Sequence, residues 1–478
     1  MLELITNRGD LRNELFEMIR CFVPDMQNSR LKVNFTYVKA ACIQFYIVID
    51  GNNYCYSFPL CAQQDRTAYV RYDVYTCKTA AYRAFSAHFG VSLPWGCLTG
   101  IRPTRLAVRL AENGVPRDRI AACLHNDYYV SMPKATLAAE ILEVQRKHMG
   151  DRLSVASDSL SGAGDLVNLY VHIPFCLTRC AYCSFVSEGI EKQQWMLLPY
   201  TEALIEEIVR TKALIAAQNK RIFSVYVGGG TPTVLSADLL RKVLGAAAVD
   251  DVEYTCEAGR PDTITADKLQ VMNDCGVNRV SINPQTLHDK TLQRIGRAHT
   301  AERFFAAYDQ AAVFGFVKNV DLIAGLEGER EEDFAYTLQG ILRLAPENIT
   351  VHTLCRKRGS AAAAEQMQCN ADTDKMVEYS VTALRAAGYA PYYLYRQKQM
   401  TGNLENIGWC KSGFLCVNNV SVMEEMLPVY ACGAGAISKI LQSDGKIARL
   451  ANPKDTLLYL KEFEQRMAKK EAFYKNNA

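Results

Sequence analysis

The chain has 478 residues, 49% of them hydrophobic, with 54 basic and 51 acidic side chains and a formal net charge of +3. Its length predicts more than one domain, and the near balance of charge excludes the strong basic footprint of a nucleic-acid partner. The opening MLELITNRGDLRNELFEMIR carries charges where a secretory signal needs an apolar core, and no apolar run approaches membrane-spanning length, so a cytoplasmic protein without a membrane span is expected.

In chain order, residues 31–38, 41–50 and 53–58 (LKVNFTYV, ACIQFYIVID, NYCYSF) read as strands, with DGNN at 50–53 as the hairpin turn between the last two. Helical periodicity follows at 79–90 and 136–149, which makes residues 1–160 a small α/β domain without evident chemistry. The basic stretch GCLTGIRPTRL, 96–106, is read as a solvated loop and helix start in preference to an anion site. Residues 150–165, GDRLSVASDSLSGAGD, have little apolar pattern and mark a boundary, with 161–360 and 361–478 as the next two domains.

From residue 168 strand and helix patterns alternate. Strands are predicted at 168–175, 223–230, 252–259, 278–285, 317–325 and 348–355, with helices such as 200–217 and 301–315 between them. Repeated βα units favour a parallel sheet, doubly wound or closed as a whole or partial barrel. Polar or unusual residues recur at the strand ends, where parallel α/β folds bind ligands.

The first of these ends is HIPFCLTRCAYCSF, with Cys176, Cys180 and Cys183 in C-x3-C-x2-C spacing. Structural zinc normally takes four protein ligands, and no fourth Cys or His follows at the expected spacing; His172 lies in the strand. A four-iron cluster held by three thiolates leaves one iron open to a non-protein ligand, which suggests catalysis. Most of the other cysteines, among 17 in all, are read as reduced thiols acting as small apolar residues, Cys410, Cys416 and Cys432 included.

LYVHIPFCLTRCAYCSF, YVGGGTPT, TCEAGRPDTIT, RVSINPQT, IGRAHT and DLIAGL, in that order, resemble the radical S-adenosylmethionine (SAM) enzymes, and within them the oxygen-independent coproporphyrinogen III oxidase group. The N-terminal domain and YRQKQMTGNLENIGW are most similar to its HemZ branch of coproporphyrinogen dehydrogenases. The resemblance implies a partial (β/α)6 barrel in the second domain and a 4Fe–4S cluster held by Cys176, Cys180 and Cys183, with SAM on the open iron. One electron then cleaves SAM to methionine and a 5′-deoxyadenosyl radical. A reduced flavodoxin- or ferredoxin-like protein is implied as the electron donor.

The same resemblance implies that Gly228, Gly229 and Gly230 admit the methionine end of SAM, followed by Thr231. Glu257 is implied near the ribose, and Gln285, Arg297 and Asp321 elsewhere in the SAM site. Tyr170 and Tyr182 would flank the cluster as aromatic contacts, Tyr170 with a catalytic role, and the backbone of Cys355 would touch adenine, although a plain buried thiol fits that residue as well. Ser184 stands where many relatives carry Asp, and Asn283 and Pro284 where the pattern Ser-x-Gly-x-Gln places a flexible Gly. A tetrapyrrole substrate with four propionates needs cations around an apolar cavity, and Arg356, Lys357, Arg358, Arg396 and Lys398 are the candidates. The implied reaction is oxidative decarboxylation of coproporphyrinogen III to protoporphyrinogen IX without oxygen. A haem-binding chaperone of the same family and another radical SAM tetrapyrrole-modifying enzyme are the alternatives; none of the seven histidines lies beyond His352 to serve a C-terminal haem site.

Overall fold

In the N-terminal region, alternation decides which strand face is buried. Strand β1 (Leu2–Thr6) precedes helix α1 (Arg12–Phe22) and the strands β2 (Leu31–Lys39), β3 (Ile43–Ile49) and β4 (Asn52–Phe58). The four form one sheet in the order β1-β2-β3-β4, with β1 parallel to β2 and the other pairs antiparallel. Leu31, Val33, Phe35, Ile43, Phe45 and Ile47 point into a core shared with α1 and with α2 (Arg66–Phe89), while Lys32, Asn34 and Tyr46 are exposed. Asp50 and Gly51 both take positive φ, 47° and 88°, as a two-residue type I′ hairpin requires. Helices α3 (Thr104–Glu112), α4 (Arg117–Tyr128) and α5 (Met132–Met149) follow, α3 starting within the basic stretch as expected. Strand β1 lies in the opening stretch, where no strand was predicted.

This computed structural model describes residues 2–23, 29–61, 66–100, 102–149, 165–183, 188–190, 193–355, 372–397, 400–442 and 446–477. Most of the expected linker (150–164), Ser184, and the cationic candidates Arg356, Lys357, Arg358 and Lys398 lie outside the described residues. The chain divides into two compact units, Met1–Glu140 and Ile141–Ala478.

The second unit is built on β5 (Leu166–Ile173), β6 (Arg221–Gly229), β7 (Glu253–Glu257), β8 (Arg279–Ser281), β9 (Val317–Ala324) and β10 (Asn348–Thr353). All six are parallel and adjacent in chain order. A doubly wound sheet would reverse its order partway, so this is the partial (β/α)6 barrel arrangement. The crossovers carry α6 (Leu197–Ala217), α7 (Ala237–Ala247), α8 (Ala266–Asp274), α9 (Asp289–Arg294), α10 (Ala301–Ala312) and α11 (Glu331–Leu344). Ser236, Thr265 and Thr300 cap α7, α8 and α10 by accepting from the backbone N–H three residues on. Strand β5 is buried along nearly its whole length, as expected of a parallel strand covered on both faces.

Residues 361–478, expected as a separate domain, add strands to both edges of this sheet. After α12 (Thr373–Ala386), β11 (Ala390–Tyr395) and β12 (Asn406–Cys410) extend it antiparallel beyond β10. After α13 (Val417–Met423), β13 (Val429–Cys432) pairs in parallel with β5, and β14 (Ile437–Leu441) and β15 (Ile447–Ala451) follow as an antiparallel pair. The reason is the open backbone edges of β5 and β10, whose N–H and C=O groups need partners. Helices α14 (Thr456–Lys461) and α15 (Phe463–Asn476) complete the unit. There Lys470 meets Glu207 of α6 at 2.9 Å in a fully buried ion pair, and Glu207 also accepts from Gly433 N, Tyr459 Oη and Asn452 Nδ2. Among the described residues no helix is long and apolar enough to cross a membrane.

Candidate functional site

A cavity of about 370 Å³ lies within the barrel strands, with the loops at their carboxyl ends on its rim. Cys176, Cys180, Cys183, Tyr182, Gly229, Gly230, Thr231, Glu257, Gln285, Arg297, Asp321 and Cys355, dispersed over 180 positions (355 − 176 + 1), all line it. The parallel strand order brings them together, because most stand at or near the same end of their own strands, with Arg297 reaching in from the loop after α9.

One wall is the cysteine loop, held from several directions. Thr178 Oγ1 donates to Gly296 O (2.8 Å), Ala181 N donates to Ile295 O (3.0 Å), and Cys183 N donates to Cys180 O (3.1 Å). Cys176 Sγ and Thr231 Oγ1 share a hydrogen bond of 3.4 Å. Buried Arg297 donates from Nη1 to Asn283 O (2.6 Å) and Gly259 O (3.1 Å), and from Nε to Tyr182 Oη (3.3 Å). Its guanidinium braces the loop against the ends of β7 and β8.

The opposite wall carries two carboxylates in different states. Glu257 ends β7, accepts from Tyr226 Oη and from Gly229 N (3.3 Å), and burial pushes its carboxyl up to about 7. Burial acts on Asp321 in the same sense, but His352 and Asn319 hold it below the usual carboxylate range. Asp321 accepts from Asn319 Nδ2 (2.7 Å) and Asn283 Nδ2 (2.9 Å), and stands 3.6 Å from His352 Nε2. The His352 Nδ1 lies 3.3 Å from Tyr395 Oη. Near Asp321, Gln285 takes a positive φ of 69°, a costly conformation for a residue with a Cβ, while its N–H donates to Asp321 O (3.1 Å). Among the described residues the buried Gln285 Oε1 has no hydrogen-bond partner.

The glycine run also answers to the protein's own packing. A Cβ on Gly229, whose φ is 106°, runs into the His172 ring; one on Gly230 meets Ile173 O at 2.8 Å and also Phe175 O; one on Gly228 meets the Glu257 carboxylate at 2.7 Å. The protein's own packing demands small residues there. His172, wedged against Gly229, is kept neutral by burial, its pKa lowered to about 4.

Three expected site residues are not brought to the lining. Gly228 lies behind Glu257. Tyr170 stands beside its register partner Tyr226 on the same sheet face, among Val429, Ala431 and Ala436 of the neighbouring strand and turn, and is not in the lining where it was expected. Arg396 is 3% exposed and spends its guanidinium on Leu404 O (3.4 Å), Asn403 O (3.1 Å) and Asn403 Oδ1, so it holds its own turn and is not a free cation.

The residue missed most clearly is Arg260, 2% exposed and lining the cavity, which links the end of β7 to the cysteine loop. Its place two residues before Asp262 in EAGRPDT is a local ion-pair pattern, but nothing in that spacing points to a loop 80 residues away. Asn283, read only as a departure from a pattern, fastens Asp321 by donating to its carboxylate and accepting from its N–H (3.1 Å).

Among the described residues no three His, Cys, Asp or Glu side chains converge on a single metal ion. Three thiols on one wall suit a cluster in which each cysteine holds a different iron. Gln285 Oε1 and Thr255 Oγ1, both in the lining and without a partner among the described residues, suit a polar ligand with donors of its own. The volume is within the range of cofactor sites, which starts near ~300 Å³. The residues present therefore fit a cluster and a small polar cofactor.

Comparison with known proteins agrees with this geometry. Residues 170–340 match the family described as the radical SAM superfamily. The oxygen-independent coproporphyrinogen-III oxidase-like protein HemZ of Bacillus subtilis is 38% identical over 391 residues, 79% of this chain and 76% of the relative. The heme chaperone HemW of Haemophilus influenzae is 28% identical, over 62% of this chain and 76% of the relative. Among solved structures, coproporphyrinogen III oxidase (HemN) from Escherichia coli is similar with a TM-score of 0.51 and 23% identity, over 63% of this chain and 70% of that one.

Proposed function

Because the chain belongs to the radical SAM superfamily, in the family of HemZ-like proteins, we propose that it oxidatively decarboxylates coproporphyrinogen III to protoporphyrinogen IX without oxygen. Radical SAM proteins use a 4Fe–4S cluster and S-adenosylmethionine, and these are the chain's cofactors. The observation that carries the specific reading is the extent of the HemZ likeness, 391 residues, far beyond the 171 of the radical SAM segment (340 − 170 + 1).

Cys176, Cys180 and Cys183 would hold the cluster. When bound and reduced by one electron, the two cofactors supply hydrogen abstraction from an unactivated C–H bond, here a propionate β-carbon, whose loss of carbon dioxide and one further electron leaves a vinyl group. The chain's own side chains bind and orient. Arg297 keeps Tyr182 and the cysteine loop in place. Gln285 Oε1 offers a buried acceptor, and Thr231, Cys355 and the backbone of Gly229 and Gly230 complete the lining. Glu257, with its raised pKa, holds a proton near neutral pH, while Asp321 stays ionised between Asn283, Asn319 and His352. Tyr170 supports Tyr226 from the neighbouring strand, a positioning role. Arg356 and Arg358 remain the propionate candidates, and a reduced flavodoxin- or ferredoxin-like protein the donor.

Anaerobic incubation of cluster-loaded protein with S-adenosylmethionine, a reductant, an electron acceptor and coproporphyrinogen III tests the reaction. Mass analysis should show loss of carbon dioxide and two hydrogens once and then twice, with 5′-deoxyadenosine accumulating in step. The HemW likeness favours a second reading, a haem chaperone. Cofactor cleavage with coproporphyrinogen left intact, together with tight haem binding, decides for that one; a different tetrapyrrole product would instead mark another modifying enzyme of the superfamily.

A further inference from the structure

We propose that Arg260 is a positioning residue that raises the reduction potential of the cluster through the Cys180 sulfur, with Asp262 as its opposing charge. The proposal rests on the reading that Cys176, Cys180 and Cys183 hold the cluster.

The guanidinium is buried and divided between two tasks. Nε and Nη2 grip the Asp262 carboxylate at 3.1 and 2.8 Å, a two-point geometry that fixes the plane of the group. Nη1 faces the cysteine loop and donates to Thr178 Oγ1 (3.0 Å), to Thr178 O (3.3 Å) and to Cys180 Sγ (3.8 Å). Thr178 passes the restraint on to Gly296. Arg297, another cation on this wall, donates to carbonyls and to Tyr182, whereas Arg260 makes a direct cationic contact to a cluster sulfur.

One-electron reduction by an external donor adds a negative charge to the cluster and its thiolates. A cationic N–H beside a ligating sulfur stabilises that added charge, and hydrogen bonds to sulfur are among the determinants of cluster potential. Solvent screens the interaction little, because Arg260 is 2% exposed and Cys180 8%. Asp262 is held by the same guanidinium and acts on the cluster with the opposite sign. Neutralising the two residues one at a time should therefore move the potential in opposite directions, which a merely structural role would not do.

The test uses the full chain, reconstituted anaerobically with iron and sulfide. Iron per chain is measured first, and the midpoint potential then follows from a redox titration monitored by electron paramagnetic resonance without S-adenosylmethionine. Arg260→Gln should become harder to reduce, its midpoint moving to a more negative value, and Asp262→Asn should move to a more positive one. Arg260→Lys keeps the charge without the two-point grip, and its midpoint should fall between wild type and Arg260→Gln. Full iron loading with unchanged midpoints, or shifts of the same sign in Arg260→Gln and Asp262→Asn, overturns the assignment while leaving the cluster reading intact. A wild-type chain that takes up no cluster overturns that reading, and the assignment with it.

Discussion

The sheet of β1–β4 and the sheet of β5–β10 both mix apolar and polar residues along their strands, with opposite meanings. In the first, polar positions reach water: Lys32 and Asn34 alternate with buried Val33 and Phe35. In the second, Thr255, Arg279, Ser281 and Thr350 are all buried, between 1% and 5% exposed. A buried polar group is costly unless it is hydrogen-bonded. Arg279 donates to Asn348 and to the carbonyls of Phe414 and Leu415, and Thr350 donates to Asn319, while Thr255 Oγ1 and Gln285 Oε1 have no partner among the described residues and remain for a ligand. A polar residue on a strand signals a site only when both faces of the sheet are covered.

The sharpest way to break this contrast is to remove one group from each region. Cys180→Ser should abolish cluster absorbance and 5′-deoxyadenosine formation, while circular dichroism shows a folded chain. Phe45→Ala, in the N-terminal core, should cost about 3–5 kcal/mol in denaturant unfolding of its own unit. It should leave iron uptake per folded chain unchanged. Iron lost in the second variant and kept in the first would reverse the assignment of chemistry to the barrel.

Next in size is a pH effect confined to the barrel. The Glu257 carboxyl is raised from 4.5 to about 7, so the folded state binds its proton more tightly than the unfolded chain does. Its penalty is absent below the unfolded value, grows as pH rises from 4.5 to about 7, and is constant above, on the order of 3 kcal/mol. Urea midpoints of the cofactor-free protein should fall over that window, and Glu257→Gln should flatten the fall. An unchanged profile in that variant would remove the proton from Glu257.

The smallest effects compare two glycines of positive φ. Gly229→Ala forces a Cβ into the His172 ring and should cost about 1–3 kcal/mol, with weaker S-adenosylmethionine binding by calorimetry. Gly51→Ala, at the hairpin tip with nothing within 4 Å, bears only the backbone strain, about 1 kcal/mol, and should leave that binding unchanged.

The same contrast explains what the sequence made legible. Strand positions and the cysteine triplet follow from short-range patterns, and the ordered motifs pointed to Glu257, Gln285, Arg297 and Asp321, all of which line the cavity. Arg396 was misread because sequence shows a charge and not its partners, here the carbonyls of its own turn. Tyr170 shares a sheet face with its register partner Tyr226, and it is the Tyr226 ring that reaches the lining, a distinction of depth that a motif does not carry. The expected C-terminal domain dissolved into the sheet because edge pairing joins segments far apart in the chain.

The Glu207–Lys470 pair bears on the order in which a ribosome releases this chain. Strand β5 and helix α6 emerge first among the barrel elements, yet the neighbour of β5 on one edge is β13, and the counter-charge of Glu207 arrives only with residue 470. Until then the nascent barrel has an exposed strand edge and a carboxylate whose burial would cost several kcal/mol without its ammonium. Closure of that half of the barrel thus waits until more than 250 further residues have been added to the segment that carries Glu207.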